Sequence, residues 1–172
     1  MKTALLATAL ALLAAGPLAP ASAAADAPRT TVSFDHPEKF TDVKDSDIPT
    51  EKGRDAILGQ IERFIVQTGD RLMAPGWHLA MNFTDIDLAG DFEPWHGPQW
   101  DNVRIVKDIY PPRFKFSYSV TNPAGQVVKQ GSENLADLNF QLEAVINRDD
   151  PLRYEKAFLG DWMRSHFAHL KG

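Results

Sequence analysis

Arg113 to Thr121 alternates without a fault, with Phe114, Phe116, Tyr118 and Val120 on one parity and Arg113, Lys115, Ser117 and Ser119 on the other. Such a pattern belongs to an antiparallel strand with one face on a core and one in water, so the chain must supply a layer to cover the apolar face. A helix can do so: Ile57, Ile61, Phe64, Ile65, Thr68 and Leu72 recur at helical spacing and form one apolar stripe. Thr50 is placed to cap that helix, which begins around Glu51, and Pro75-Gly76 stops it.

The other elements follow from period and punctuation. Thr30 to Phe34 is a short β-branched and aromatic run, ended by Asp35-His36-Pro37. From Trp77 the period is two, with Leu79, Met81 and Phe83 on one face. Ile86 and Leu88 then fall on the opposite phase, which calls for a β-bulge near Thr84-Asp85 or for cover on both faces. A strand is expected over Val103 to Tyr110, and Asn122 to Gly125 turns the Arg113 strand into a hairpin partner at Gln126 to Glu133. Leu135 to Ile146 fits either period and is taken as a strand followed by a turn. Asp150-Pro151 opens a last helix through Tyr154, Phe158, Trp162 and Met163, whose basic end holds His166 and His169. The predicted fold is α+β: a small antiparallel meander with one long and one C-terminal helix packed on one face.

The N-terminus carries a different message. Lys2, the apolar run Ala4 to Ala15 and the small-x-small Ala21-Ser22-Ala23 match a secretory signal, too short to span a bilayer. Residues 1–23 are therefore expected to be a cleaved leader, 24–29 a flexible segment and 30–172 a single domain of a periplasmic or secreted protein. The formal net charge is −5, and loss of Lys2 with the leader makes the chain more acidic still. An acidic chain without a basic cluster disfavours nucleic acid and anionic membrane surfaces as partners. With no Cys there is no disulfide, cysteine nucleophile, thiolate zinc site or iron–sulfur cluster.

Two neighbouring segments attract functional attention. In Thr84 to Asp91, Asp85 and Asp87 project from the same strand face, with Asp91 beyond a turn at Gly90. The pattern overlaps the start of a calcium loop but has Ala89 where an oxygen ligand is needed and His96 where the bidentate Glu belongs. The alternative is that the two carboxylates cap backbone N–H groups around a bulge. Next, Trp95-His96-Gly97-Pro98-Gln99-Trp100 holds two of the four Trp of the chain in a Pro/Gly loop. These rings either fold back on the sheet edge or form a sticky surface for a polypeptide or sugar. Asp85, Asp87, Asp91, Trp95, His96 and Trp100 are the candidate binding residues. No catalytic residue, metal ligand or cofactor is assigned, because the chain lacks G-x-S-x-G, H-E-x-x-H, P-loop and G-x-G-x-x-G signatures.

Phe40-Thr41-Asp42, the run Thr84 to Gly90, Pro112-Arg113 and Asp161-Trp162 on the last helix, together with the leader, give a chain that resembles the small exported bacterial proteins grouped as domain of unknown function 3016. The resemblance implies a single exported domain and no particular activity. The expected function is a non-enzymatic envelope module that binds another envelope protein through the Trp95 to Trp100 loop and the Asp85 to Asp91 turn. A small-ligand or divalent-cation site on that acidic turn is the alternative. A carboxylate-dependent hydrolase using Asp87 and Asp91 as acid and base is a third.

Overall fold

The computed structural model describes residues 28–100, 102–142, 147–168 and 170; the expected leader and His169 lie outside the described residues. Eight elements frame the fold: β1 (Thr30–Phe34), α1 (Glu51–Leu72), β2 (His78–Asp87), β3 (Asp91–Phe92), β4 (Arg104–Ile105), β5 (Arg113–Thr121), β6 (Val127–Ala136) and α2 (Arg153–Phe167). The main sheet has the order β1-β2-β5-β6, and β3 and β4 form a separate two-stranded ribbon. The architecture is α+β, as the alternation of periods predicts. The sheet is mixed, because β1 runs parallel to β2 while β2-β5 and β5-β6 are antiparallel.

Helix α1 forms where its stripe and cap place it. The Thr50 hydroxyl accepts from the Gly53 N–H at 2.9 Å, which satisfies one of the orphan donors of the first turn. Its Leu58, Ile61 and Ile65 join Leu159, Met163 and Phe167 of α2 over the inner face of the sheet, where Leu79, Met81, Phe83, Phe114, Phe116, Tyr118 and Val120 complete the core. Trp162 of α2 stands edge-on to Phe116 at 4.8 Å and stacks with His166 at 4.4 Å, so His166 is a packed ring at the helix end. Arg29, at the edge of the expected flexible segment, donates to the carbonyls of Asp70 and Met73 and ties β1 to the end of α1.

Three stretches depart from expectation. The strand over Val103 to Tyr110 shrinks to Arg104–Ile105, because Lys107 to Tyr110 closes as a turn in which the Tyr110 N–H reaches the Lys107 carbonyl. Strand β6 runs on to Ala136, its cross-strand partner being Arg113. Beyond it Phe140–Leu142 is a 3-10 turn rather than strand, since the Asp137 carboxylate takes the Asn139 N–H and bends the chain; Glu143 to Ile146 lie outside the described residues.

The slip of phase in β2 is a bulge. Phe83 pairs with Phe116 and Asp85 with Lys115, so Thr84 is the extra residue. The bulge keeps both Phe83 and Ile86 in the core and sets Asp85 and Asp87 together on the outer face.

Candidate functional site

The C-terminal end of β2 is where most of the polar chemistry gathers. After β1 the chain turns back beside β2: the Asp42 N–H donates to the Ile86 carbonyl at 3.0 Å and the Leu88 N–H to the Asp42 carbonyl at 3.1 Å. Thr41, Asp42, Asp85, Asp87, Asp91 and Arg113 then line a polar pocket of about 610 Å³, together with Lys44, Lys115 and Tyr110. Three of the four segments behind the family resemblance meet there.

Each carboxylate in this pocket faces a cation. Asp42 takes the fork of Arg104 at 2.8 and 3.1 Å. Asp85 accepts from the Thr41 N–H and hydroxyl at 2.8 and 3.1 Å and from Lys115 at 2.9 Å. Asp91 lies 3.6 Å from Lys44, and Asp87 only 3.9 Å from Arg113. Among the described residues no three His, Cys, Asp or Glu side chains are grouped to hold a metal ion. A divalent cation here would have to displace basic side chains already in place. Asp85 does cap a backbone N–H, though that of Thr41 on a neighbouring segment rather than one in its own bulge.

The electrostatics separate Asp85 from Asp87. Burial opposes ionisation of Asp85, but hydrogen bonds from Lys115 and Thr41 outweigh it and hold its carboxyl below the ordinary range. Among the described residues Asp87 has no such donors; burial first, and then the Asp42 carboxylate, push it up to about 6, with Asp85 and Asp91 adding and Arg113 opposing. Asp87 is thus the carboxylate of this pocket whose pKa is raised toward neutral pH. Since its folded pKa is raised, the native state binds more protons than the unfolded chain between roughly pH 4 and 6, and its contribution is lost as pH rises through that window. A shift of this size is worth about 3 kcal/mol unscreened. With the Asp87 side chain 28% exposed, solvent reduces this to about 1–2 kcal/mol. Asp87→Asn is therefore expected to stabilise the fold by about 1–2 kcal/mol at pH 7.5 and to flatten the slope between pH 4 and 6. Urea titrations across that range check both, and an unchanged slope would show that Asp87 ionises normally.

Beside the pocket stands the loop that connects β3 to β4. Its base is Glu93, whose side chain is only 1% exposed. Lys107 lies 2.7 Å from each carboxylate oxygen, the Tyr110 hydroxyl donates at 2.9 Å, and His96 Nε2 is 2.7 Å away. Lys107 above all holds the Glu93 carboxyl below its usual range, and Glu93 in turn raises the Tyr110 phenol. Pro94–His96 and Pro98–Trp100 are 3-10 turns above this base. Trp95 is 70% exposed and Trp100 43% exposed, so neither ring folds back into the core.

The structure thus brings Asp85, Asp87 and Asp91 to one pocket and sets Trp95, His96 and Trp100 on the loop next to it. Tyr110 belongs to both, lining the pocket and donating to Glu93. The site residues that the sequence did not signal are Glu93, Arg104, Lys107 and Tyr110, while Asp42 was marked only as part of a segment behind the family resemblance. A lone acid between Phe92 and Pro94 is the trace that Glu93 leaves in the sequence, an ionisable group inside an apolar setting.

Comparison with known proteins agrees on the family and goes no further. Residues 28–165 match the family model described as protein of unknown function (DUF3016). The chain belongs to this family. No curated protein and no solved structure matches it. The match spans the whole framework from β1 to the last full turn of α2, including the pocket and the Trp loop.

Proposed function

We propose that this DUF3016 protein is a non-enzymatic exported module that binds another envelope protein through the Trp95 to Trp100 loop and the adjoining Asp85 to Asp91 turn. One observation carries the proposal: the exposed Trp95 sits on a turn whose foot is fastened by an enclosed carboxylate with three side-chain partners. A large apolar side chain held in water by a rigid base is preorganised for contact, since little conformational freedom remains to be lost on binding. The charged pocket next to it supplies the polar rim that such hot spots usually have.

Replacing Trp95 and Trp100 by Ala is expected to change the unfolding free energy by no more than about 1 kcal/mol, because both rings are exposed. The same change should abolish the partner interaction. In-cell photo-crosslinking from position 95 or 100 of the full-length chain reads this out, and a discrete protein adduct identified by mass is the expected result. Folded, exported protein that yields no adduct from either position would overturn the proposal, as would a large loss of stability in the Trp variants.

A further inference from the structure

A second cavity, of about 470 Å³, lies between α1 and α2 and shares no lining residue with the acidic pocket. Its volume falls within the range of small-molecule sites, roughly 300–1,000 Å³. Phe64 and Ala157 give it an apolar wall, and Arg63, Arg153, Lys156 and Arg164 face Asp150 and Asp161 around it. The two carboxylates are already engaged: Asp150 lies 2.6 Å from Lys156, and Asp161 pairs with Arg164. Arg153 is held in place, its guanidinium 4.5 Å above the Tyr154 ring and its Nη1 donating to the Asp150 carbonyl at 3.3 Å. Arg63 has no ion pair or hydrogen bond among the described residues.

Two guanidinium groups therefore have no carboxylate of their own, in a concave site of a chain whose net charge is −5. A concavity focuses the field of its lining charges, and guanidinium forks match the oxygen spacing of phosphate. We propose that this interhelical groove binds a phosphate monoester with an apolar or aromatic body, the phosphate on Arg63 and Arg153 and the body against Phe64 and Ala157. The phosphate can belong to a soluble ester or to a lipid headgroup, and the two sources are separable by experiment.

The test is a titration of the full chain with phenyl phosphate, followed by amide chemical shifts. Saturable shifts confined to residues 60–67 and 153–164 are expected. Inorganic phosphate should bind about tenfold more weakly for want of the apolar contact, and benzyl alcohol, which lacks the charge, should give no saturable shift. The double variant R63Q/R153Q, at one exposed and one half-buried side chain outside the core, should keep the wild-type fold and lose affinity by about tenfold or more. Raising the salt from about 50 to about 300 mM should weaken the wild-type complex, a check that needs no variant. Pelleting with phosphatidic acid vesicles that is lost in the double variant would assign the phosphate to a lipid. No pelleting, with phenyl phosphate still bound, would assign it to a soluble ester. Absence of saturable shifts, equal affinity in the double variant, or salt-independent binding would each overturn the proposal.

Discussion

Arg104→Ala is expected to cost about 3–5 kcal/mol of unfolding free energy, a fall on the order of 10 °C in melting temperature for a domain of this size. The cause is the partner left behind. Asp42 is 8% exposed on its side chain, and among the described residues the guanidinium supplies its only ion pair. The same fork donates to the Gly90 carbonyl at 2.7 Å and the Lys44 carbonyl at 3.0 Å, and its Cζ lies 4.7 Å from the centre of the Phe92 ring. Truncation leaves an enclosed carboxylate without its counterion and two carbonyls without a donor. Arg104→Lys should recover only part of the loss, since an ammonium group cannot reproduce the planar fork. In an Asp42→Asn background the cost of Arg104→Ala should fall markedly, because no stranded charge remains. Urea unfolding of the wild type and these four variants, Asp42→Asn alone included, at pH 7 checks this; a loss below about 1 kcal/mol would mean that water reaches Asp42 once the arginine is gone. Arg104 opens β4, so the same contacts root one end of the Trp loop while Glu93 roots the other.

That arrangement marks where sequence reasoning ends. Helix α1 and strand β5 were legible because each repeats a pattern many times: a stripe with a Thr cap in one, four inward apolar residues in the other. The bulge was legible as a slip of phase, and it follows from the slip that Asp85 and Asp87 share the outer face. Partnership was not legible. That β1 lies parallel to β2, and that Asp42 lands beside Asp87, depends on contacts between segments about 45 residues apart, which no local period encodes. The strand expected over 103–110 failed for a related reason. The chain there closes a turn that delivers Lys107 and Tyr110 to Glu93, so tertiary contacts override the β-propensity of the run. Glu93 draws its partners from three, fourteen and seventeen residues downstream. The Trp pair was visible in the sequence, but its exposure and the Glu93 base beneath it were not.

The core beneath the site gives the other large effect. Phe83→Ala is expected to lower stability by about 3–5 kcal/mol through lost transfer energy and the cavity it leaves. The ring is wholly buried, with Phe116 at 5.0 Å, Phe34 at 5.8 Å and Phe114 at 6.1 Å between centroids. Its neighbours come from β1 and β5, two strands on opposite sides of β2, so no single element can move to fill the gap. Phe83→Leu, which leaves a smaller gap, should cost less than half as much. Denaturant curves with an unchanged slope would place the effect in the native packing, and a cost near 1 kcal/mol would show that the aromatic cluster repacks. Phe83 is also the last regular residue before the bulge, while Asp87 lies just beyond it. Removing the buried ring should destabilise the fold, and neutralising Asp87 four residues later should stabilise it. Opposite signs on one strand would separate the part that builds the sheet from a carboxylate kept against the interest of stability, which is the mark expected of a residue held for binding.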